Sequence, residues 1–318
     1  MIRLALLLCG LGIVVPAWAQ AWPQKPLRIL VIATPGGYPD IAARILAVHL
    51  APLLGQPVLV ENRPGGGGNI ASAAVAKAAP DGYTLLLTGN NHAVNPTLLP
   101  DPGFDYEKDF APVSMVSQAT MIVVTSPTLP AKRVSEVIAL GKSRPPKSMA
   151  LFSGIVGTPN HLAAELFTQM SGVDFTLVTY KGISPALPDL LSGQLHVAII
   201  SLPSVLPMVK AGKIPGIAVT RTTRSAFLPD VPTVSESGLP GFDVNAWVCI
   251  LTTGGTPPSV VQKLNTEIRK AMATPQAQTA FLNQGTEPWT TAPEELAAYI
   301  KAETAKWRSV LMKANHSH

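Results

Sequence analysis

Disulfide pairs, catalytic motifs and membrane-length apolar runs are scarce in this chain, and each scarcity removes a class of protein. The 318 residues hold two cysteines. Cys9 falls inside an N-terminal leader, so Cys249 is left with no intramolecular partner and stability must come from burial, even in an oxidising compartment. The glycine run Gly65 to Gly68 is not followed by Gly-Lys-Ser/Thr, which argues against a phosphate loop and for a flexible turn after Pro64. No Gly-x-Ser-x-Gly elbow occurs, and no two histidines stand at zinc-ligand spacing except the terminal His316 and His318. His92 and His161 fall in candidate loops, where a lone histidine is more often a hydrogen-bonding partner than a general base. No acid–base constellation is visible, so no enzyme, metal or cofactor is expected. Thr233-Val234-Ser235-Glu236 fits a capping box, a structural device.

The leader itself is informative. Arg3 is followed by an uncharged apolar run from Leu4 to Val15 and then by Pro16-Ala17-Trp18-Ala19-Gln20, which reads as a secretory signal peptide cleaved after Ala19. The run is shorter than the roughly 20 apolar residues of a membrane-spanning helix. Cys9 lacks the small upstream residues of a lipid-anchor site. Export to the periplasm is the expectation. What remains, roughly 300 residues, is long enough for two domain-sized cores. Lysine and arginine (24) exceed aspartate and glutamate (19), spread along the chain with no basic stripe. That favours a small anion over nucleic acid and is equally compatible with a basic surface kept for solubility.

The apolar pattern alternates between strand and helix. Leu27 to Ala33 reads as a strand, the segment through Ile41, Ile45, Leu46 and Leu50 as a helix, Val58 to Val60 as a strand, Ile70 to Ala79 as a helix and Thr84 to Thr88 as a strand. After Met121 to Val124 the alternation restarts: helix Val134 to Ser143, strand Met149 to Phe152, helix Pro159 to Ser171, strand Phe175 to Thr179, helix Pro185 to Ser192, strand Leu195 to Ile200. Such alternation implies parallel pairing. Strand Trp247 to Leu251 then precedes helices near Pro257, Pro275 and Pro293 that have no strands of their own. The simplest assembly is two α/β lobes, 20–124 with 247–318 and 125–246, joined by two strands that act as a hinge.

Ligands of open parallel sheets bind where strand ends lead into helix N-termini. Gly36-Gly37-Tyr38-Pro39, Gly157-Thr158-Pro159 and Gly182-Ile183-Ser184-Pro185 are such junctions, each with proline at a helix start. Glycine admits close approach, and free N–H groups with the helix dipole favour an anion. Each junction alone is also an ordinary loop-to-helix start.

Seven segments carry a resemblance. They are Trp22-Pro23 with Lys25-Pro26, Pro35-Gly36-Gly37 with Asp40, Glu61-Asn62-Arg63-Pro64-Gly65, Ala79-Pro80-Asp81-Gly82-Tyr83-Thr84, Asp109-Phe110-Ala111-Pro112-Val113, Tyr180-Lys181-Gly182, and Leu228-Pro229-Asp230-Val231-Pro232-Thr233. In these the chain resembles the substrate-binding proteins of tripartite tricarboxylate transporters, the Bug family of periplasmic receptors. The resemblance implies a two-lobed type II periplasmic-binding fold of the α/β class that closes on its ligand and feeds a membrane complex of one large and one small subunit. It further implies a carboxylate held by first-lobe backbone amides, with the second lobe selecting the remainder. Carried over by position, the first-lobe site is Gly36, Gly37, Tyr38 and Asp40 with Thr88, Gly89, Asn90 and Asn91. The second-lobe site is Ser153, Gly154, Thr158, His161, Tyr180 and Lys181. Tyr38 departs from the small residue or proline usual after the glycine pair. Ile200 stands where many members have aspartate, so the expected carboxylate has no amino group: a short di- or hydroxy-carboxylate or an aromatic acid. A monomer is expected. A periplasmic sensor that presents its ligand to a signalling receptor has the same fold and cleft and stays open beside transport.

Overall fold

A computed structural model of the chain describes residues 22–180 and 183–315. The leader expected at 1–19, Lys181, His316 and His318 lie outside them. The uninterrupted apolar runs form strands covered on both faces, as a sheet flanked by helices requires. β1 (Leu27–Val31), β2 (Val58–Asn62) and β3 (Thr84–Gly89) pair in parallel about β1. They are linked by α1 (Tyr38–Leu54) and α2 (Asn69–Ala76). α1 starts with Pro39 in its first turn and stops at Gly55, whose φ of 65° is left-handed. α3 (Asn90–Leu98) follows β3 directly.

β4 (Phe110–Thr125) then runs through both halves. The second half contains α4 (Val134–Ser143), β5 (Ala150–Phe152), α5 (Pro159–Ser171), β6 (Thr176–Val178), α6 (Leu187–Ser192), β7 (Val197–Ser201), α7 (Leu206–Lys210) and β8 (Gly216–Val219). β9 (Asn245–Thr253) returns the chain to the first half, followed by α8 (Pro258–Ala273), α9 (Pro275–Asn283), β10 (Glu287–Pro288) and α10 (Pro293–Asn315). The strand order is β2-β1-β3-β9-β4-β7-β5-β6, with β8 and β10 also on β4.

The pairing is mixed: parallel where strands alternate with helices, as the sequence indicates, and antiparallel where the chain crosses between lobes. Within each lobe β1 with β2 and β3, and β5 with β6 and β7, are parallel. The central pairs, β3 with β9 and β4 with β9 and β7, are antiparallel, because β4 and β9 pass between lobes directly and not through helical crossovers. β4 pairs with β9 as far as Thr120 and with β7 and β8 from Met121 onward. The strand therefore changes sheet four residues ahead of the boundary read after Val124. Pro112, which has no N–H to give a ladder, sits at a register shift in β4.

Four apolar clusters cover the four sheet faces. Leu27, Ile29 and Val31 pack on Leu46 and Leu50 of α1 and on Leu264 and Ile268 of α8. The opposite face, Leu30, Leu86 and Cys249, packs on Val75 of α2 and Leu296 of α10. In the second lobe Val123, Leu151 and Ile199 meet Phe167 of α5, whereas Ile122, Ala198 and Ile200 meet Leu190 of α6. Each fully buried side chain of this size contributes about 1.5–3 kcal/mol. α10 does not keep to the first lobe, where the sequence places the C-terminal helices: Leu296 enters the first-lobe core and Trp307, Val310 and Leu311 enter the second. No helix of the described residues is long and apolar enough to cross a membrane.

Candidate functional site

The carboxyl ends of β1 and β3 in one lobe and of β5 and β7 in the other open toward each other. A cavity of about 440 Å³ lies between them. Three helix N-termini reach it: α1 through Tyr38 and Pro39, α3 through Gly89, Asn90 and Asn91, and α5 through Thr158, Pro159 and Asn160. The first-turn N–H groups of such helices have no intrahelical acceptor and lie at the positive end of the dipole. The sequence reading ends a strand at Thr88 and places no helix after it; Asn90, Asn91, Asn95 and Pro96 are poor helix formers. In the structure β3 runs to Gly89 and α3 starts at Asn90.

Of the expected first-lobe residues, Tyr38, Gly89, Asn90 and Asn91 line this cavity, and Gly36 lines a neighbouring hollow together with Tyr38. Tyr38 shares a 3.0 Å hydrogen bond with Ser117 of β4, and burial raises its pKa despite that bond, so its hydroxyl is neutral and engaged. The left-handed φ of the glycine pair belongs to Gly36 (80°), whereas Gly37 (−74°) caps α1 in extended conformation. Asp40 does not face the cavity. Its carboxylate accepts from Gly36 N–H at 2.8 Å, Arg44 Nε at 3.1 Å and Asn62 Nδ2 at 2.9 Å. Burial pushes its pKa upward, yet these hydrogen bonds outweigh burial and hold it below the ordinary carboxylate range. Asp40 positions the glycine loop, and Thr88 is buried within β3.

In the second lobe Thr158 lines the cavity, while Gly154 and Ile200 line an adjoining hollow of about 240 Å³ with Phe152, Ile183 and Ser201. Thr158 Oγ1 donates to Ile155 O at 2.6 Å. His161 is buried behind the loop, where its Nδ1 accepts from Gly157 N–H at 3.4 Å and burial lowers its pKa. It supports the turn without touching the cavity. Ser153 is buried, its N–H bonded to Val178 O. Tyr180 stacks on Phe152 and donates to Asp189 at 2.6 Å, which with burial raises its pKa to about 12. Neither Ser153 nor Tyr180 lines the cavity.

Several wall residues have no counterpart in the sequence reading. Gly65, Gly67 and Gly68 form one side of the cavity. All four glycines of that run have positive φ, and a Cβ on Gly68 would lie 3.2 Å from Ile32, so the run is a close-packed turn into α2 and not a flexible one. Four consecutive glycines were the available signal. Asn160, whose amide donates to Ile199 O at 2.9 Å, and Ile155, Val156, Met121 and Ser201 carried none. A larger hollow of about 620 Å³ lies between α3, the start of β4 and α10. His92 faces it; burial lowers its pKa to about 4, so it is neutral and remote from the interlobe wall.

Comparison with known proteins agrees with this fold. The sequence profile described as tripartite tricarboxylate transporter family receptor matches residues 42–316. Protein BugT of Bordetella pertussis is 36% identical over 302 residues, covering 94% of this chain and 92% of that protein. A structure of an R. palustris protein with adipate superposes with a TM-score of 0.80 at 34% identity, covering 93% of this chain and 99% of that one. A Rhodopseudomonas palustris protein with bound malate gives 0.76 at 30% identity, covering 91% and 99%.

Proposed function

The chain belongs to the tripartite tricarboxylate transporter receptor family, a family of periplasmic solute-binding proteins and not of enzymes, and from that premise we propose that it captures a small carboxylate between its lobes for a membrane transporter. One observation carries the reading: the N-termini of α1, α3 and α5, from both lobes, open on a single cavity with no Lys, Arg, Asp or Glu on its described wall. Each terminus favours an anion by about 0.3–1 kcal/mol, and by up to about 2 kcal/mol when partly buried. Three together hold a carboxylate without an arginine clamp. The cavity falls within the ~300–1,000 Å³ of small-molecule sites.

The relatives with adipate and malate support a carboxylate as cargo. Family membership supports a periplasmic location after removal of the leader, and delivery to one large and one small membrane subunit. Native mass spectrometry of the purified protein, followed by calorimetry on ligand-stripped protein, is expected to detect a carboxylate bound with micromolar or tighter affinity. Absence of binding by every di-, hydroxy- and aromatic carboxylate tried removes the capture reading. Uptake by vesicles carrying the two membrane subunits, dependent on this protein, tests delivery; capture without such uptake leaves the sensor role.

A further inference from the structure

We propose that the captured carboxylate has a hydrocarbon body, bare of amino and hydroxyl groups, and that Ile155 and Val156 select it. This rests on the carboxylate-capture reading above and sharpens it. The polar side chains on the cavity wall are few and largely occupied. Tyr38 is bonded to Ser117, the Asn90 amide to β9, and the Trp247 indole to Glu303. Thr158 donates to Ile155 O and Asn160 to Ile199 O, which leaves Thr34, Asn91 and Ser201, all neutral. Asn91 stands in the first turn of α3 and Thr34 in the loop ahead of α1, where a carboxylate is met. The large apolar side chains of the wall include Ile32, Met121, Val248, Ile155 and Val156, and of its hydroxyls those of Tyr38 and Thr158 are already bonded, leaving Thr34 and Ser201.

Ile155 and Val156 are the informative pair. They are 54% and 60% exposed although they belong to a protein with ample core to receive them. Nor is their loop frayed. Gly154 and Gly157 take φ of 73° and 82°, Thr158 closes on Ile155 O through both its N–H and its hydroxyl, His161 holds the Gly157 N–H, and Asn160 anchors to Ile199. The loop is built to present two large apolar side chains toward the first lobe before anything is bound, which is preorganisation. A methylene covered by them gains about fourfold in affinity. A hydroxyl or ammonium placed against them loses its water without a partner, a loss of roughly 5- to 150-fold.

The test is calorimetry on ligand-stripped wild-type protein with matched ligands: succinate against malate and aspartate, adipate against 2-aminoadipate, benzoate against 4-hydroxybenzoate. The hydrocarbon member of each set that binds is expected to be tighter by about tenfold or more. A hydroxylated or aminated member binding as well as its hydrocarbon partner overturns the proposal while leaving carboxylate capture intact. If no carboxylate binds, both readings fall. In the I155S/V156S double variant, adipate affinity should drop by about tenfold and the preference should narrow, with the melting temperature of the free protein little changed because both side chains are already exposed. Unchanged adipate affinity in that variant removes the selecting role of the pair.

Discussion

Asp40 shows how a buried charge can serve a binding site without touching the ligand. Its two oxygens receive Gly36 N–H, Arg44 and Asn62, so the loop ahead of α1 is held by one carboxylate. Asp40→Asn keeps the shape and removes the charge, and should cost about 1–3 kcal/mol together with a loss of carboxylate affinity as the loop relaxes. The pH dependence has a definite sign. The folded pKa lies below the unfolded value of about 3.9, so the stabilisation is fully present above about pH 4 and is lost as pH falls through the folded value. Melting curves of wild type and variant should therefore differ near about pH 7 and converge toward about pH 2. A gap that stays the same in acid would assign the effect to shape instead of charge. The Thr233 and Glu236 pair forms its two reciprocal backbone bonds, at 3.0 and 2.7 Å, as its sequence pattern indicates, because a capping box depends on neighbours in the chain alone.

Helices and strands do their work here through their ends. The first residue of α3 bonds to the first residues of β9: Asn90 donates to Asn245 O at 3.0 Å and accepts Trp247 N–H at 3.1 Å. The wall of the cavity and the strand that re-enters the first lobe are thereby one unit. Asn90→Ala leaves a buried N–H without an acceptor and should lower stability by about 1–3 kcal/mol in urea unfolding, with weaker ligand binding. Asn91→Ala, one residue on, breaks no hydrogen bond among the described residues and should change stability by no more than about 0.5 kcal/mol. Equal losses from the two substitutions would deny Asn90 its linking role. The end of β7 behaves differently: Ile200 is buried against Phe152 and pairs with Ile122 in register, so it belongs to a core face as much as to a ligand wall.

Taken as one body, the protein is two lobes that share β4, β9 and α10. Between Thr120 and Met121 the partner of β4 changes, and Val244 at the mouth of β9 bonds back to Thr220. Arg221, just beyond β8, reaches Glu287 of β10 at 2.7 Å, and Glu287 also meets Gln118, which accepts from Asn245. This cluster lies beside the strand crossings, where a rotation of one lobe against the other would displace atoms least. Small-angle scattering should show a smaller radius of gyration with saturating carboxylate than without. An unchanged radius would mean that capture proceeds without closure.

Local signals in the chain were enough for much of this. Helices α4 and α5 have the bounds read from their apolar spacing, and the proline and glycine junctions at Tyr38 and Thr158 are where the cavity was sought. Those features depend on residues within a turn or two of each other, where periodicity, caps and left-handed glycines act. What lay beyond the sequence depends on partners far along the chain. Asp40 reads as a ligand contact until Asn62 and Gly36 are seen to occupy it. Asn90 reads as a loop residue until β9 returns from 155 positions away. Ile155 and Val156 carry no signal in the sequence until the first lobe stands opposite them. A side chain's polarity is written in its own atoms, but whether that polarity is still free for a ligand is decided by what the fold has already bonded to it.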